Sequence, residues 1–174
     1  MDFWFSIGST YSYLSVMRLE GVSEATGIAF RWRPFNVRAI MREMDNIPFA
    51  NKPIKAAYMW RDVERRAAMY GLYPKLPAPY PLKELELANR VAIVATDEGW
   101  VDAYARAAYR RWFEHGEPAG SEPNLTQSIE ACNQDTVRGR RAGKRAKRDQ
   151  RSRSCNQRSP WPGHLRLAVV RGER

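Results

Sequence analysis

The sequence predicts an α/β protein in which a βαβ unit at the N-terminus is followed by a predominantly helical region. Two short apolar runs, at residues 3–5 and 28–33, have the character of buried strands and flank one helix-length segment. Segments with apolar residues at helical spacing then follow between about residues 37 and 132. From about residue 136 this periodicity is lost, and basic and small polar residues dominate.

The first strand, Asp2–Ser6, is predicted to turn at Gly8 into a helix over about Ser12–Leu19. Ser9 is placed to cap this helix, and capping alone is one explanation for a serine here. A strand-to-helix turn also points free N–H groups at whatever lies above Ser9, which suits an anionic sulfur, oxygen or phosphate. Ser9 and Ser12 have the C-x-x-C spacing without the sulfur. Such a turn cannot exchange disulfides, but it can donate a hydrogen bond to the thiolate of another molecule.

The second strand is predicted over Ile28–Arg33, where Ile28, Phe30 and Trp32 alternate with more polar residues. A loop containing Gly21 and Gly27 is expected before it, and Pro34 is expected to end it. Because a single helix connects the two strands, they are expected to pair in parallel.

Five helices and one extended segment are predicted beyond the βαβ unit. Asn36 caps a short helix that ends near Met44, and the segment Tyr73–Pro81, with four prolines, is expected to be extended and to line a site. The remaining helices are expected over about Ile54–Tyr70, Leu82–Glu98, Val101–His115 and Ser121–Cys132.

Charge is distributed unevenly along the chain. The net charge is +10, but residues 136–174 hold thirteen Lys and Arg against Asp149 and Glu173, so residues 1–135 carry a net −1. Any nucleic-acid affinity is therefore expected from the tail alone. No run approaches the roughly 18 apolar residues of a membrane span, and no basic segment follows Met1 as in a signal peptide. A cytoplasmic protein without membrane contact is expected.

The two cysteines and two histidines are isolated from one another in the sequence. Without C-x-x-C spacing, no redox dithiol and no metal motif are expected. We expect His115, which precedes Gly116, to lie at a helix C-terminus, where its partial charge suits the helix dipole.

Four sequence blocks, in register over about the first 135 residues, resemble one enzyme family. They are Phe3-Trp4-Phe5 with Ser9-Thr10-Tyr11-Ser12-Tyr13-Leu14, then Arg33-Pro34-Phe35, then Asn51-Lys52-Pro53 with Lys55 to Arg65, then Pro77-Ala78-Pro79-Tyr80-Pro81. Together they resemble the 2-hydroxychromene-2-carboxylate isomerases and the related kappa-class glutathione transferases.

The resemblance implies a thioredoxin-like fold of the DsbA type with an inserted all-helical domain. Residues 1–36 would then form the N-terminal part of the thioredoxin-like domain and residues 37–135 the helical insertion. The composition of residues 136–174, in contrast, predicts a basic tail without order. The resemblance also implies glutathione as cofactor, a small-molecule substrate and compatibility with a homodimer. Ser9 is the implied catalytic residue, which holds the glutathione sulfur as a thiolate. Thr10, Tyr11 and Lys55 would join Ser9 in binding glutathione, and Asn51, Lys52 and Tyr80 would contact the substrate.

Two positions depart from the family pattern. Thr10 stands where the family has proline, which makes the turn less rigid, and Met41 stands where the family has a lysine about ten residues before the asparagine. Each implied residue also has an ordinary explanation, such as a turn for Asn51, solvated charge for Lys52 and packing for Tyr80.

Three other functions compete with the isomerase reading. A kappa-like glutathione transferase would use the same serine, and an inactive fragment with a nucleic-acid-binding tail would use none of these residues. A DsbA-like redox function is excluded by the absence of C-x-x-C.

The tail has an explanation in the genetic code. When Ser159–Gly172 is back-translated and read one base later, permitted codons spell ALGLGIFGSPSFVV, which matches the cis-proline strand motif of the family. We therefore hypothesise that the reading frame slips between about Asp135 and Arg140, so that the C-terminal part of the thioredoxin-like domain is scrambled.

Overall fold

The computed structural model describes residues 1–45, 49, 52–139, 141 and 143. The elements in chain order are β1 (Asp2–Phe5), α1 (Thr10–Val16), α2 (Leu19–Thr26), β2 (Arg31–Pro34), α3 (Val37–Glu43), α4 (Pro53–Met69), α5 (Leu85–Glu98), α6 (Val101–Arg110), a π-helical turn (Arg111–His115) and α7 (Asn124–Glu130). The predicted α/β class, with helices following a βαβ unit, is confirmed.

The two strands pair in parallel, as predicted, with Asp2 opposite Arg31. The ring of Trp32 packs edge-on against Phe3 and Phe5, at centroid distances of 5.1 and 5.3 Å. Edge-to-face aromatic pairs add packing energy beyond the area they bury. The sheet is therefore held by this aromatic cluster as well as by its backbone hydrogen bonds.

The region predicted as a loop around Gly21 is the helix α2, so this prediction was wrong. Gly21 has helix-compatible backbone and open space around it, whereas Gly27 has φ +69° and ends the helix. Arg18 directly precedes α2, and the central carbon of its guanidinium lies 3.5 Å from the ring centroid of Tyr70. Of these two glycines, only Gly27, whose φ is positive, marks a turn.

The bounds of the first helix and second strand also differ from the predictions. Helix α1 begins at Thr10, two residues before the predicted start, and ends at Val16. Strand β2 begins at Arg31, three residues after the predicted start at Ile28. Ile28 lies in the preceding loop, where it is 38% exposed and its carbonyl oxygen accepts a hydrogen bond from Ser23 Oγ at 2.8 Å.

The predicted helices of the central region are confirmed. Asn36 Oδ1 caps α3 by accepting from the backbone N–H groups of Arg38 and Ala39, at 3.1 and 3.2 Å. Helix α4 buries Met59, Val63 and Ala67, which recur at helical spacing along its length. His115 ends the π-helical turn that continues α6, just before Gly116 at φ +78°.

One hydrophobic core joins the sheet, α1 and the later helices. Tyr13 of α1 stacks on Phe113 at a centroid distance of 4.2 Å, and Trp112 beside it is fully buried. The later helices therefore form the surface against which the N-terminal turn packs.

Ordered structure extends into the segment predicted to lack it. Residues 136–139 have helical backbone. Arg138 pairs with Glu98 at 3.1 Å, and Gly139 is buried against Ile129. The first residues of the predicted tail are therefore helical, contrary to the expectation for them; residues 140, 142 and 144–174, and with them the hypothesised strand motif, lie outside the described residues. Within the described ranges, every helix is too short or too polar to cross a bilayer.

Gly8 gives the first testable prediction. Its φ is +122°, and a Cβ there would lie 1.9 Å from Cδ1 of the buried Leu85. We expect Gly8→Ala to lower the free energy of unfolding by about 1–3 kcal/mol, from backbone strain and overpacking together. The matched control is Gly21→Ala in α2, which meets no atom within 4 Å and is expected to stabilise by about 0.5–1 kcal/mol. Urea unfolding of both variants measures the difference, and equal effects would contradict this assignment of strain to Gly8.

Candidate functional site

The turn between β1 and α1 places Ser9 at the N-cap of α1, with φ −87° and ψ 119°. Its backbone N–H donates to Ser6 O at 3.0 Å, which closes the turn. The side chain makes no capping hydrogen bond, so the expectation that its hydroxyl caps the helix was wrong. Because Ser9 is partly exposed and its hydroxyl is not used in capping, the hydroxyl can donate to a ligand.

Two buried residues that the sequence analysis missed hold this turn. Asn89 of α5 hydrogen-bonds to the backbone of Ile7, and the Tyr109 hydroxyl of α6 donates to Ser6 O at 2.7 Å. The sequence held one signal that could have identified Asn89. This residue lies one helical turn after Leu85, so its polar amide falls on the apolar face of α5. Nothing in the sequence pattern identified its partner.

The next two residues of α1 attach it to α4. Thr10 is buried, and its Oγ1 donates to Met59 Sδ at 3.2 Å, so its hydroxyl is already engaged. The Tyr11 hydroxyl donates to Asp62 Oδ2 at 2.8 Å, and the tyrosine ring is 37% exposed. Burial, followed by the hydrogen bond to Asp62, raises the pKa of Tyr11 to about 12. Tyr11 therefore stays a neutral hydrogen-bond donor at physiological pH.

Asp62 is a further residue that the sequence analysis did not single out. Desolvation acts to raise the pKa of this carboxyl, but hydrogen bonds from Tyr11 and Arg66 outweigh it and hold the pKa below its usual range. Arg66 Nε lies 2.9 Å from Asp62 Oδ2. Asp62 is thus an ionised anchor between α1 and α4.

Lys52 and Lys55, at the start of α4, line an open cleft of about 520 Å³ with Pro53, Ile54 and Tyr58. In the described part of the chain, neither lysine forms an ion pair. Two unpaired cations beside an apolar wall suit a ligand with carboxylates and an apolar portion. Asn51, which was implied to contact the substrate, lies outside the described residues.

Tyr80, in the proline-rich segment, is half-buried among aromatic rings. Its ring meets Trp60 and Phe49 edge-on, at centroid distances of 6.2 and 6.0 Å. Burial raises the pKa of Tyr80, and the charge of Arg38 opposes the shift. The sequence analysis did not name Arg38, a cation close enough to act on this phenol.

Helix α4 is the element that relates most of these residues to one another. Lys55 lies one helical turn before Met59, which contacts Thr10, and Trp60, which contacts Tyr80, follows Met59 directly. Thr10 and Tyr80 thus both contact the N-terminal half of α4, whereas the lining of the cleft beside Lys52 and Lys55 includes neither Ser9 nor Tyr80. The hydroxyl of Ser9 suits an anionic partner, and the two lysines with their apolar wall suit a carboxylate that has an apolar portion.

Comparison with known proteins gives one family match and several relatives. The family model described as DSBA-like thioredoxin domain matches residues 1–151. A 2-hydroxychromene-2-carboxylate isomerase from Sphingobium xenophagum is 26% identical over 137 residues, which cover 78% of this chain and 67% of that protein. A glutathione S-transferase kappa 1 from Caenorhabditis elegans is 33% identical over 120 residues, 64% of this chain but only 51% of that protein.

A solved structure shares the fold. The structure of a 2-hydroxychromene-2-carboxylate isomerase superposes with a TM-score of 0.72 at 20% sequence identity, covering 88% of this chain and 77% of that one. At this identity, the likeness concerns the fold.

Proposed function

Because the chain belongs to the DSBA-like thioredoxin domain family, and its relatives include isomerases and a glutathione transferase, we propose that it is a glutathione-dependent isomerase of the 2-hydroxychromene-2-carboxylate type. The observation that carries the proposal is the Ser9 hydroxyl, which stands at the N-cap of α1 without capping it.

The residues present fit glutathione. The peptide has a thiol and two carboxylates, and the site offers one hydroxyl donor and two lysines without ion-pair partners in the described part of the chain. In the proposed site, Ser9 donates a hydrogen bond to the sulfur and so favours its ionised form. Lys55 attracts a peptide carboxylate, while backbone groups of Thr10 and the hydroxyl of Tyr11 flank the peptide.

When bound, glutathione supplies a thiolate that adds reversibly to the conjugated double bond of the substrate, allows rotation about the resulting single bond and leaves unchanged. The protein holds the reacting groups together. Lys52, with Asn51, orients the substrate carboxylate, and Tyr80 packs on the aromatic ring. The hydroxyl of Ser9 would donate a hydrogen bond to the thiolate both before addition and after elimination, and this donation would lower the thiol pKa.

A kappa-like glutathione transferase is the second candidate. The relative named glutathione S-transferase kappa 1 has the higher identity of the two relatives described above, and Lys55 matches a lysine beside the kappa-class site. A transferase would use the same serine and thiolate, but the sulfur of glutathione would stay covalently bonded to the product.

One assay distinguishes the candidates. The full chain, and the same chain with the reading frame restored beyond Asp135, are incubated with glutathione and either a hydroxychromene carboxylate or an electrophilic aryl halide. The isomerase proposal predicts interconversion of the chromene with its open-chain isomer and no loss of free thiol. Stoichiometric loss of thiol to the aryl halide, without isomerisation, would favour the transferase. Activity of the frame-restored chain alone would identify the chain as written as an inactive fragment, and failure of both forms in both reactions would contradict both candidate functions.

A further inference from the structure

The turn that carries Ser9 is held by two side chains from distant helices. Asn89 of α5 is 2% exposed and Tyr109 of α6 is fully buried. Both reach the backbone of residues 6–9 across more than 80 residues of sequence. We name Asn89 and Tyr109 the turn clamp.

The side-chain amide of Asn89 forms hydrogen bonds with both the N–H and the carbonyl oxygen of Ile7, as the backbone of a neighbouring strand would. Its Oδ1 accepts from Ile7 N at 2.9 Å, and its Nδ2 donates to Ile7 O at 2.7 Å. The same amide accepts from Ser6 Oγ at 3.3 Å and donates to Leu85 O at 2.9 Å. All four hydrogen-bonding positions of the amide are thus used, which fixes its orientation.

The hydroxyl of Tyr109 contacts the backbone of the turn on both sides of Gly8. This hydroxyl lies 2.7 Å from Ser6 O and 3.3 Å from Ser9 O, so its single proton points between the two carbonyl oxygens, with Ser6 O the nearer acceptor. Ser6 O also accepts from Ser9 N at 3.0 Å. The hydroxyl of Tyr109 is therefore the side-chain group that contacts the backbone of Ser9 itself.

The turn needs such support. Gly8 sits at φ +122°, in a region that glycine enters and leaves freely. The Ser9 side chain does not anchor itself by capping α1. A displacement of about 1 Å at a reacting group can cost about two orders of magnitude in rate.

From this geometry we propose that Asn89 and Tyr109 are positioning residues, which hold the hydroxyl of Ser9 where it can stabilise a bound thiolate. This inference rests on the proposed function. Neither side chain lines the cleft beside Lys52 and Lys55, and both form hydrogen bonds with the backbone of the turn, through which they are proposed to act.

The chain offers a matched control for each clamp residue. The Tyr104 hydroxyl of α6 is equally buried but donates to Ala88 O, at 3.3 Å. Asn124 of α7 is 1% exposed and donates to Ala108 O and Glu117 O, at 3.1 and 2.9 Å. Tyr104→Phe and Asn124→Ala therefore remove similar buried hydrogen bonds, none of which involves residues 6–9.

The test uses the full chain and two measurements. Hydrogen exchange of the backbone amides of residues 8–11 needs no ligand, and ultraviolet titration reports the thiol pKa of glutathione at saturating concentration. We expect Tyr109→Phe to speed this exchange about three- to tenfold, the effect of one lost buried hydrogen bond. The thiolate fraction at neutral pH should fall by a similar factor. Asn89→Ala should act in the same direction and more strongly, whereas both controls should leave the two readouts at wild-type values.

The two hypotheses fail in different ways. Exchange and thiol pKa that change equally in clamp and control variants would reduce the clamp to ordinary core packing. If Asn89→Ala fails to fold, Tyr109→Phe decides, because it removes one oxygen atom and keeps the ring. A wild-type chain that leaves the glutathione thiol pKa unchanged would contradict the proposed function, and the exchange comparison would still decide whether the clamp orders the turn.

Discussion

Replacing Ser9 with alanine is expected to lower turnover by about one to three orders of magnitude, the scale observed when one donor to a reacting anion is removed. The expected result applies to the chain with its frame restored beyond Asp135, assayed with glutathione and the chromene substrate. The loss should appear mainly in kcat, since the hydroxyl is proposed to stabilise the anionic sulfur.

Stability measurements separate this effect from unfolding. A capping serine contributes about 1 kcal/mol, but the Ser9 hydroxyl makes no capping bond. Thermal unfolding of Ser9→Ala should therefore stay close to wild type. Asn36→Ala, which removes the bonds that cap α3, should lower the free energy of unfolding by about 1 kcal/mol. Ser15→Ala, on the same helix as Ser9 but outside the turn, is the activity control. Turnover of Ser9→Ala equal to that of Ser15→Ala would reduce Ser9 to an N-cap position without a chemical role.

Restoring the reading frame is expected to raise turnover of this chain by about two orders of magnitude, the scale of a site that is incompletely positioned. The physical reason is composition: residues 136–174 carry a net +11, and a segment so rich in charge offers little apolar surface that could pack against the sheet. The shifted reading instead supplies an apolar strand with the motif GSPSF, which resembles the segment that faces the serine in the family.

Sequencing the gene across the Asp135 to Arg140 codons checks this prediction directly. A single-base difference that restores the strand motif is the expected outcome. A confirmed frame, combined with a protease-resistant segment over residues 144–174, would overturn the hypothesis.

Much of the fold follows from local signals. Local sequence signals predict the aromatic strand before Gly8, the cap at Asn36 and the apolar face of α4. Each of these features depends only on neighbours within a few residues. The helix α2 was missed because Gly21 was taken as a turn residue, although its backbone is helical. Its contact with Tyr70, through Arg18, is a tertiary one.

The candidate site was predictable only in part. Ser9 could be found because its spacing and the surrounding motif lie in one short segment. Asn89 and Tyr109 could not be found, since their partners are backbone atoms more than 80 residues away. Helical spacing identifies which face of α5 is buried, but it does not show which backbone group a buried amide will meet.

The ionisation of glutathione on this protein tests the central claim most directly. Ultraviolet absorbance of the thiolate is followed against pH at saturating glutathione, for the frame-restored chain and for its Ser9→Ala variant. The account predicts that the parent chain lowers the thiol pKa from about 8.5 toward neutrality and that Ser9→Ala returns it to the value of free glutathione. Identical titration midpoints for the two proteins would contradict the claim that Ser9 activates the thiol.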